Sequence, residues 1–350
     1  MINELDIIEK EFSNSLENII SFIDLITEMK EIDIQYMKSS KFYRDLCVIL
    51  SGISTKLANT KIVQYNAIII SLYGAYELAI KKSSNIFIKF AIMNNFHLSN
   101  SLLKSYLLAV AKTFERNADD ENVILIGELN DFINKNDSSK FRMDLSLSVM
   151  QNLKTNIVQQ IASVLDIKDA LICIKHSREF ELYIKFREAL PSVESAKEYI
   201  DRLNNPFLYI NDVVESRNRI AHMGYEENML DNDMIRNLVI KEFNVFVSQY
   251  ISLLKTQWCK LCLDNNINMH RLEILKVYNN EIICFNTGDF SVNKASTIFI
   301  QDTNNNQMIG KILSIQYNNQ DIDVSEKNQN IGCKLNTTCK DTYSYYLYSK

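Results

Sequence analysis

The stretch Asn204-Asn205-Pro206-Phe207-Leu208-Tyr209-Ile210-Asn211-Asp212-Val213-Val214-Glu215-Ser216-Arg217-Asn218-Arg219-Ile220-Ala221-His222-Met223-Gly224 carries the signals for both ends of one helix. Pro206 supplies no backbone donor and disfavours helical geometry in the residue before it, so the chain stops there and restarts near Phe207. Ile210, Val213, Val214, Ile220 and Ala221 form an apolar stripe, and Gly224 stands where a helix is broken or capped. A helix advances about 100° per residue, which brings Asn218 and His222 within about 40° of each other with Arg217 to one side. The Arg217 side chain is long enough to reach around.

The same three-to-four spacing extends in both directions. Ile8, Phe12, Leu16, Ile19, Ile20, Ile23 and Ile26 predict a helix over Ile7–Met29 with one buried stripe. Further helices are expected over Phe42–Leu57, Lys61–Ile80, Ser101–Phe114, Leu145–Val164 and Met234–Leu263. Lys61–Ile80 is apolar enough to be a central helix packed on several sides, and the polar Asn134–Lys140 reads as a loop. Only 2 prolines and 7 glycines in 350 residues leave such helices uninterrupted. After Asn265 the texture changes to short β-rich runs, Leu272–Tyr278, Ile282–Phe285, Thr297–Ile300 and Ile309–Tyr317, separated by turns at Asn279-Asn280, Asn304–Asn306 and Asn318-Asn319. The expected fold class is mainly α: a helical domain over residues 1–265, then a small β domain over 271–350, a barrel or a sandwich, with the boundary near Asp264 to His270.

Hydrophobic content of 47% with 23% charged residues is the balance of a globular protein. A net charge of −5 argues against sequence-blind coating of nucleic acid, while leaving room for a small basic site. The apolar Ile68–Ile70 is followed by Glu77, Lys81 and Lys82, so no run reaches the length of a membrane span. The acidic amino terminus does not resemble a signal peptide, and a cytoplasmic location is expected. The 7 cysteines are odd in number and scattered, which predicts reduced thiols. Cys259 and Cys262 form a CxxC inside an apolar run; a buried pair of helical thiols is the ordinary reading, metal or redox chemistry the rarer one. No metal and no cofactor is expected. His97, His176 and His270 have no companions at ligand or triad spacing.

Arg217, Asn218 and His222 together offer a guanidinium fork for phosphate, an amide that donates and accepts, and an imidazole that titrates near neutrality. That set suffices for RNA cleavage without metal. The ribose 2′-hydroxyl would attack its own 3′-phosphate, with His222 as general base or acid and Arg217 meeting the charge that builds on the phosphoryl oxygens. One histidine can hardly perform both proton transfers, so a second copy of the motif across a homodimer interface is expected to complete the site. Arg219 is expected at solvent or phosphate, Arg116, Lys175, Arg178 and Arg187 are candidates for an RNA track, and Lys81 stands four residues from Glu77 where it can pair with it or touch RNA.

Arg217-Asn218, three residues and then His222 resembles the RNxxxH signature of the HEPN ribonucleases. Leu72-Tyr73-Gly74-Ala75-Tyr76-Glu77 resembles the helix in which the subgroup related to RNase LS and L-PSP-associated proteins carries an acidic residue, and Ile210–Met223 is similar to its second segment. The resemblance covers roughly Ile62 to Leu263. It implies an all-α domain acting as a dimer, with Arg217 and His222 essential, Asn218 in support and Glu77 hydrogen-bonded into the site. It further implies a metal-independent endoribonuclease leaving 2′,3′-cyclic phosphate and 5′-hydroxyl ends, acting on RNA, with tRNA among the candidates. Its setting would be antiviral defence, abortive infection or a toxin-antitoxin pair with an antitoxin or other partner protein. The alternative is a catalytically idle helical module that binds a partner protein or a nucleotide. Met223 stands where the family often has glycine. Gly310–Gln316, Asp321–Val324 and Asn330–Leu335 resemble the strand order of the second-domain barrel of translational GTPases, and Tyr343–Tyr348 reads as a final strand.

Overall fold

The computed structural model describes residues 1–38, 44–94, 96, 100–115, 119–135, 137–142, 145, 147, 150–226, 228–303 and 307–348. They form two compact units, Met1–Ile251 and Ser252–Lys350.

The first unit is helical. α1 (Ile2–Lys38) buries Ile8, Phe12, Leu16, Ile19, Ile23 and Ile26 of the stripe its spacing predicts, adds Leu5, leaves Ile20 half-buried, and outruns the expected bounds at both ends. α2 (Arg44–Met93) joins two expected helices into one of 50 residues, because the residues between Leu57 and Lys61 include neither proline nor glycine. Tyr65, Ile68, Ile69, Leu72, Tyr73, Tyr76 and Ile80 turn inward. The opposite face stays open: Val63, Ala67, Ile70, Gly74 and Leu78 are exposed, so this helix is not packed on all sides as its hydrophobicity suggested.

α3 (Asn100–Phe114) lies where expected, whereas α4 (Asp119–Lys135) was not foreseen. Leu125 of α4 is strongly buried, and the helix is anchored by Phe132, which meets Tyr106 and Phe141 at ring distances of 5.8 and 5.0 Å. The helix expected from Leu145 begins only at Thr155, because Asn152 takes a left-handed φ of 54°. α5 is thus Thr155–Val164, followed by α6 (Ala170–Lys175), α7 (Arg178–Arg187) and α8 (Val193–Arg202). Ser177 and Ser192 cap α7 and α8, accepting from Phe180 N and Ser195 N at 3.3 and 3.1 Å. α9 (Leu208–Met223) starts just past Pro206 and ends at Gly224, whose φ of 82° suits a residue without Cβ. α10 (Asn232–Met234) runs through a π-helical turn, Ile235–Val239, into α11 (Ile240–Asp264). Aromatic contacts tie these helices together: Phe180 to Phe207 at 4.9 Å, Phe207 to Phe246 at 5.1 Å and Tyr76 to Phe243 at 5.1 Å.

The second unit takes the end of α11 and eight strands: β1 (Met269–Arg271), β2 (Ile274–Tyr278), β3 (Ile282–Asn286), β4 (Thr297–Gln301), β5 (Gln307–Tyr317), β6 (Gln320–Ile322), β7 (Asn330–Leu335) and β8 (Ser344–Tyr348). All pairings are antiparallel in the order β1-β8-β4-β5-β7-β3-β2, with β6 on β5. The two ends of that path, β1 and β2, are consecutive in the chain, so the sheet curls around a core of Ile283, Phe285, Ile298, Ile300, Ile315, Cys333 and Tyr345. Asn279-Asn280 and Asn318-Asn319 make the hairpin turns, with φ of 50° and 55°, and 51° and 62°. Positive φ at both central residues matches the strand twist, and asparagine tolerates it. The expected turn at Asn304–Asn306 lies outside the described residues. Cys259 and Cys262 are fully buried, and burial pushes both thiols well above their ordinary range, Cys262 to about 12. They act as small apolar side chains.

Candidate active site

α2 and α9 meet along polar side chains at the edge of their buried faces. Asn66, Tyr73 and Glu77 follow one another at seven and four residues along α2, which keeps them on one side of the helix. Asn66 donates to the Gly224 carbonyl at 2.8 Å, fixing the end of α9 just beyond His222. Tyr73, nearly fully buried, lies under Arg217, whose guanidinium carbon is 4.8 Å from the ring centre. Arg217 Nη1 also donates to Asn218 Oδ1 at 3.1 Å, so the half-buried guanidinium is held from two sides.

Tyr73 ties the site to its surroundings. Burial pushes its phenol above the ordinary range and the nearby Glu77 carboxylate adds to this, while the Leu153 amide and Arg217 pull the other way. The Leu153 N–H reaches the hydroxyl at 3.4 Å. Glu77 itself pairs with Lys81 at 2.8 Å. Nearly two turns before the motif, Asn211 Oδ1 accepts from Thr155 N and Oγ1 at 3.1 and 3.3 Å, and Lys154 pairs with Glu215 at 2.6 Å, which closes the start of α5 against α9.

His222 is exposed in the last turn of α9. Five positions separate it from Arg217, so the two side chains leave the helix about 140° apart. Asn218 shares the side of His222 and, through its bond to Arg217, links the two directions.

Arg219 points elsewhere. Its Nε meets Glu226 Oε2 at 2.6 Å, Nη2 donates to Ser216 Oγ at 3.1 Å, and Nη1 lies 3.8 Å from Glu215. Burial pushes the Glu226 carboxyl up, but the Asn228 N–H, Arg219 and Ser216 outweigh it and hold the group below its usual range. The half-exposed Arg219 is thus committed to the loop that follows α9. Lys81 is committed to Glu77, and Lys175 lies 3.4 Å from Asp201. Arg187, an expected member of an RNA track, is instead buried against Glu242 and Glu188 at 3.3 and 2.8 Å, because its guanidinium neutralises a carboxylate in the core. Arg116 and His97 lie outside the described residues.

Sequence reasoning missed Tyr73 and Asn66 as members of the site. Their signal was present, since both precede Glu77 on one face of α2, but an apolar run hides tyrosine and asparagine among core residues. Lys154 and Asn211 gave no signal, since their pairing joins segments far apart in the chain.

The chain belongs to the RiboL-PSP-HEPN family, whose model matches residues 10–260. No curated protein matches it. Among the described residues no helix is long and apolar enough to cross a membrane.

Proposed function

We propose that this protein is a metal-independent endoribonuclease whose active site is completed by a second copy of the chain. The observation that carries the reading is the half-exposed Arg217 guanidinium, held by Tyr73 and Asn218, on the same helix of a HEPN domain as the exposed His222. In the reaction a base takes the proton of the ribose 2′-hydroxyl, and the 2′-oxygen bonds to the adjacent phosphorus. The bond to the 5′-oxygen breaks, and that oxygen receives a proton from an acid. The products are a 2′,3′-cyclic phosphate and a 5′-hydroxyl. His222 serves as one proton carrier and His222 of the second copy as the other, while Arg217 meets the negative charge on the phosphoryl oxygens.

The divergence of Arg217 and His222 within one chain favours two copies. A surface fit for the contact borders the site: Val63, Ala67, Ile70, Gly74 and Leu78 form an exposed apolar stripe on α2, next to the face that carries Asn66, Tyr73 and Glu77. The same divergence favours the second reading, an idle module that binds a nucleotide or partner, if the chain stays monomeric. A place in antiviral defence or a toxin-antitoxin pair, with tRNA among the substrates, fits such an activity. The deciding experiment incubates cellular RNA with the protein in EDTA and maps the new ends. Cyclic-phosphate and 5′-hydroxyl ends that vanish in His222→Ala and Arg217→Ala support the proposal; cleavage that requires metal, or survives both substitutions, refutes it.

A further inference from the structure

α9 starts against a buried carboxylate. Glu242, in the first turn of α11, is fully buried. One carboxylate oxygen accepts the Ile210 N–H at 3.1 Å, and the other lies 3.0 Å from the Tyr183 hydroxyl and 3.3 Å from Arg187 Nη1. Arg187 further donates to the carbonyl of Pro206, the residue that admits the chain to α9. Just before Glu242 the helix widens into the π turn Ile235–Val239, and the Tyr183 hydroxyl also reaches the Leu238 carbonyl at 3.3 Å. One extra residue in a turn rotates all that follows by about 100°, so the π turn decides where Glu242 points.

Every one of these partners of the carboxylate is a donor, and a carboxylate only accepts. Burying such a group costs free energy that a well-packed apolar side chain would avoid, and burial pushes its pKa up to about 7 despite Arg187. The charge sits where it answers the open amides and the positive end of the helix that carries Arg217 and His222.

We propose that Glu242 is the positioning residue of α9. By accepting the Ile210 amide in the first turn of the helix, with Tyr183 and Arg187 holding it in place, it sets the axial position and roll of α9. It thereby places Arg217 and His222, about two to three turns further on. Only the kinetic consequence rests on the ribonuclease reading; the structural one stands without it.

The test uses the full chain as wild type, Glu242→Gln and Tyr183→Phe. Glutamine keeps the shape but sets an amide N–H₂ against donors, whereas phenylalanine removes one donor and opposes none. Amide hydrogen exchange is expected to rise about tenfold or more at Tyr209–Asn211 in Glu242→Gln, with α1 and α5 unchanged. For RNA cleavage kcat is expected to fall on the order of 10²-fold with KM within about twofold, as for displaced catalytic groups that still bind substrate. Tyr183→Phe shifts exchange and kcat in the same direction by less, and decides the matter alone if Glu242→Gln does not fold. Unchanged exchange at Tyr209–Asn211, or a rise spread evenly over the helical unit, overturns the proposal. If the wild type cleaves no RNA, the ribonuclease reading falls and the exchange result by itself decides the role of Glu242.

Discussion

The Arg217 guanidinium lies 4.8 Å over the ring of Tyr73, a residue 144 positions earlier in the numbering whose hydroxyl accepts the Leu153 N–H at 3.4 Å. A cation over an aromatic face is worth about 0.5–2 kcal/mol depending on its exposure. Tyr73→Phe keeps the ring and loses the hydroxyl, whereas Tyr73→Leu loses both. Cleavage is expected to fall modestly in the first and by between about twofold and thirtyfold more in the second, the range that this contact spans. Steady-state rates on one RNA measure it, and equal effects from both substitutions would remove the ring from the account.

Ile70 stands in the middle of the exposed stripe on α2, half open to solvent. Ile70→Glu adds a charge at a position where the fold loses little, within roughly 0.5 kcal/mol. Sedimentation is expected to shift from dimer to monomer, and cleavage to drop with it. A variant that remains dimeric and fully active would place the contact between copies on another surface.

The Arg219 pair with Glu226 binds the loop after α9 to the helix. Because Arg219 is half open to water, Arg219→Ala is expected to cost about 1 kcal/mol at neutral pH, the lower end for leaving a buried acceptor short of a partner. The native Glu226 carboxyl titrates below its unfolded value of 4.5, so its contribution is present above that pH and is lost as pH falls through the native value. Denaturation midpoints between pH 3 and pH 7 should therefore depend on acid less steeply in the variant than in the wild type.

Glu242 has the opposite sign. Its native pKa of about 7 exceeds the unfolded 4.5, so the folded protein holds the proton more tightly. Its contribution is full below the unfolded value and is lost as pH rises through about 7. Tyr183, Arg187, Glu188 and Tyr209 surround the group and are common to both proteins, so comparison with Glu242→Gln isolates it. The wild type should lose stability relative to the variant between pH 5 and pH 8. A constant difference across that range would mean that Glu242 stays ionised in the fold.

The helix bearing Arg217 and His222 was legible end to end, because Pro206 and Gly224 act through local backbone geometry that no distant contact needs to supply. The hairpin turns at Asn279-Asn280 and Asn318-Asn319 were legible for the same reason. α4 was not, since what anchors it is the contact of Phe132 with Tyr106 and Phe141, outside the helix itself. Arg187 was misassigned to the surface because an arginine near the end of a helix looks solvated until the carboxylate that neutralises it is known.

By itself the sequence determined the local elements, the mainly helical class with a β-rich end, and the motif Arg217-Asn218 with His222, since propensity, capping and periodicity operate over a few residues. Tertiary structure alone decided which groups those residues meet. Tyr73 lies under Arg217, Asn66 holds the carbonyl of Gly224, and Glu242 receives the Ile210 amide in the first turn of α9, each across more than thirty positions of chain. Such contacts depend on the packing of whole helices and on a single π turn that rotates one of them, and periodicity along one segment carries no record of either.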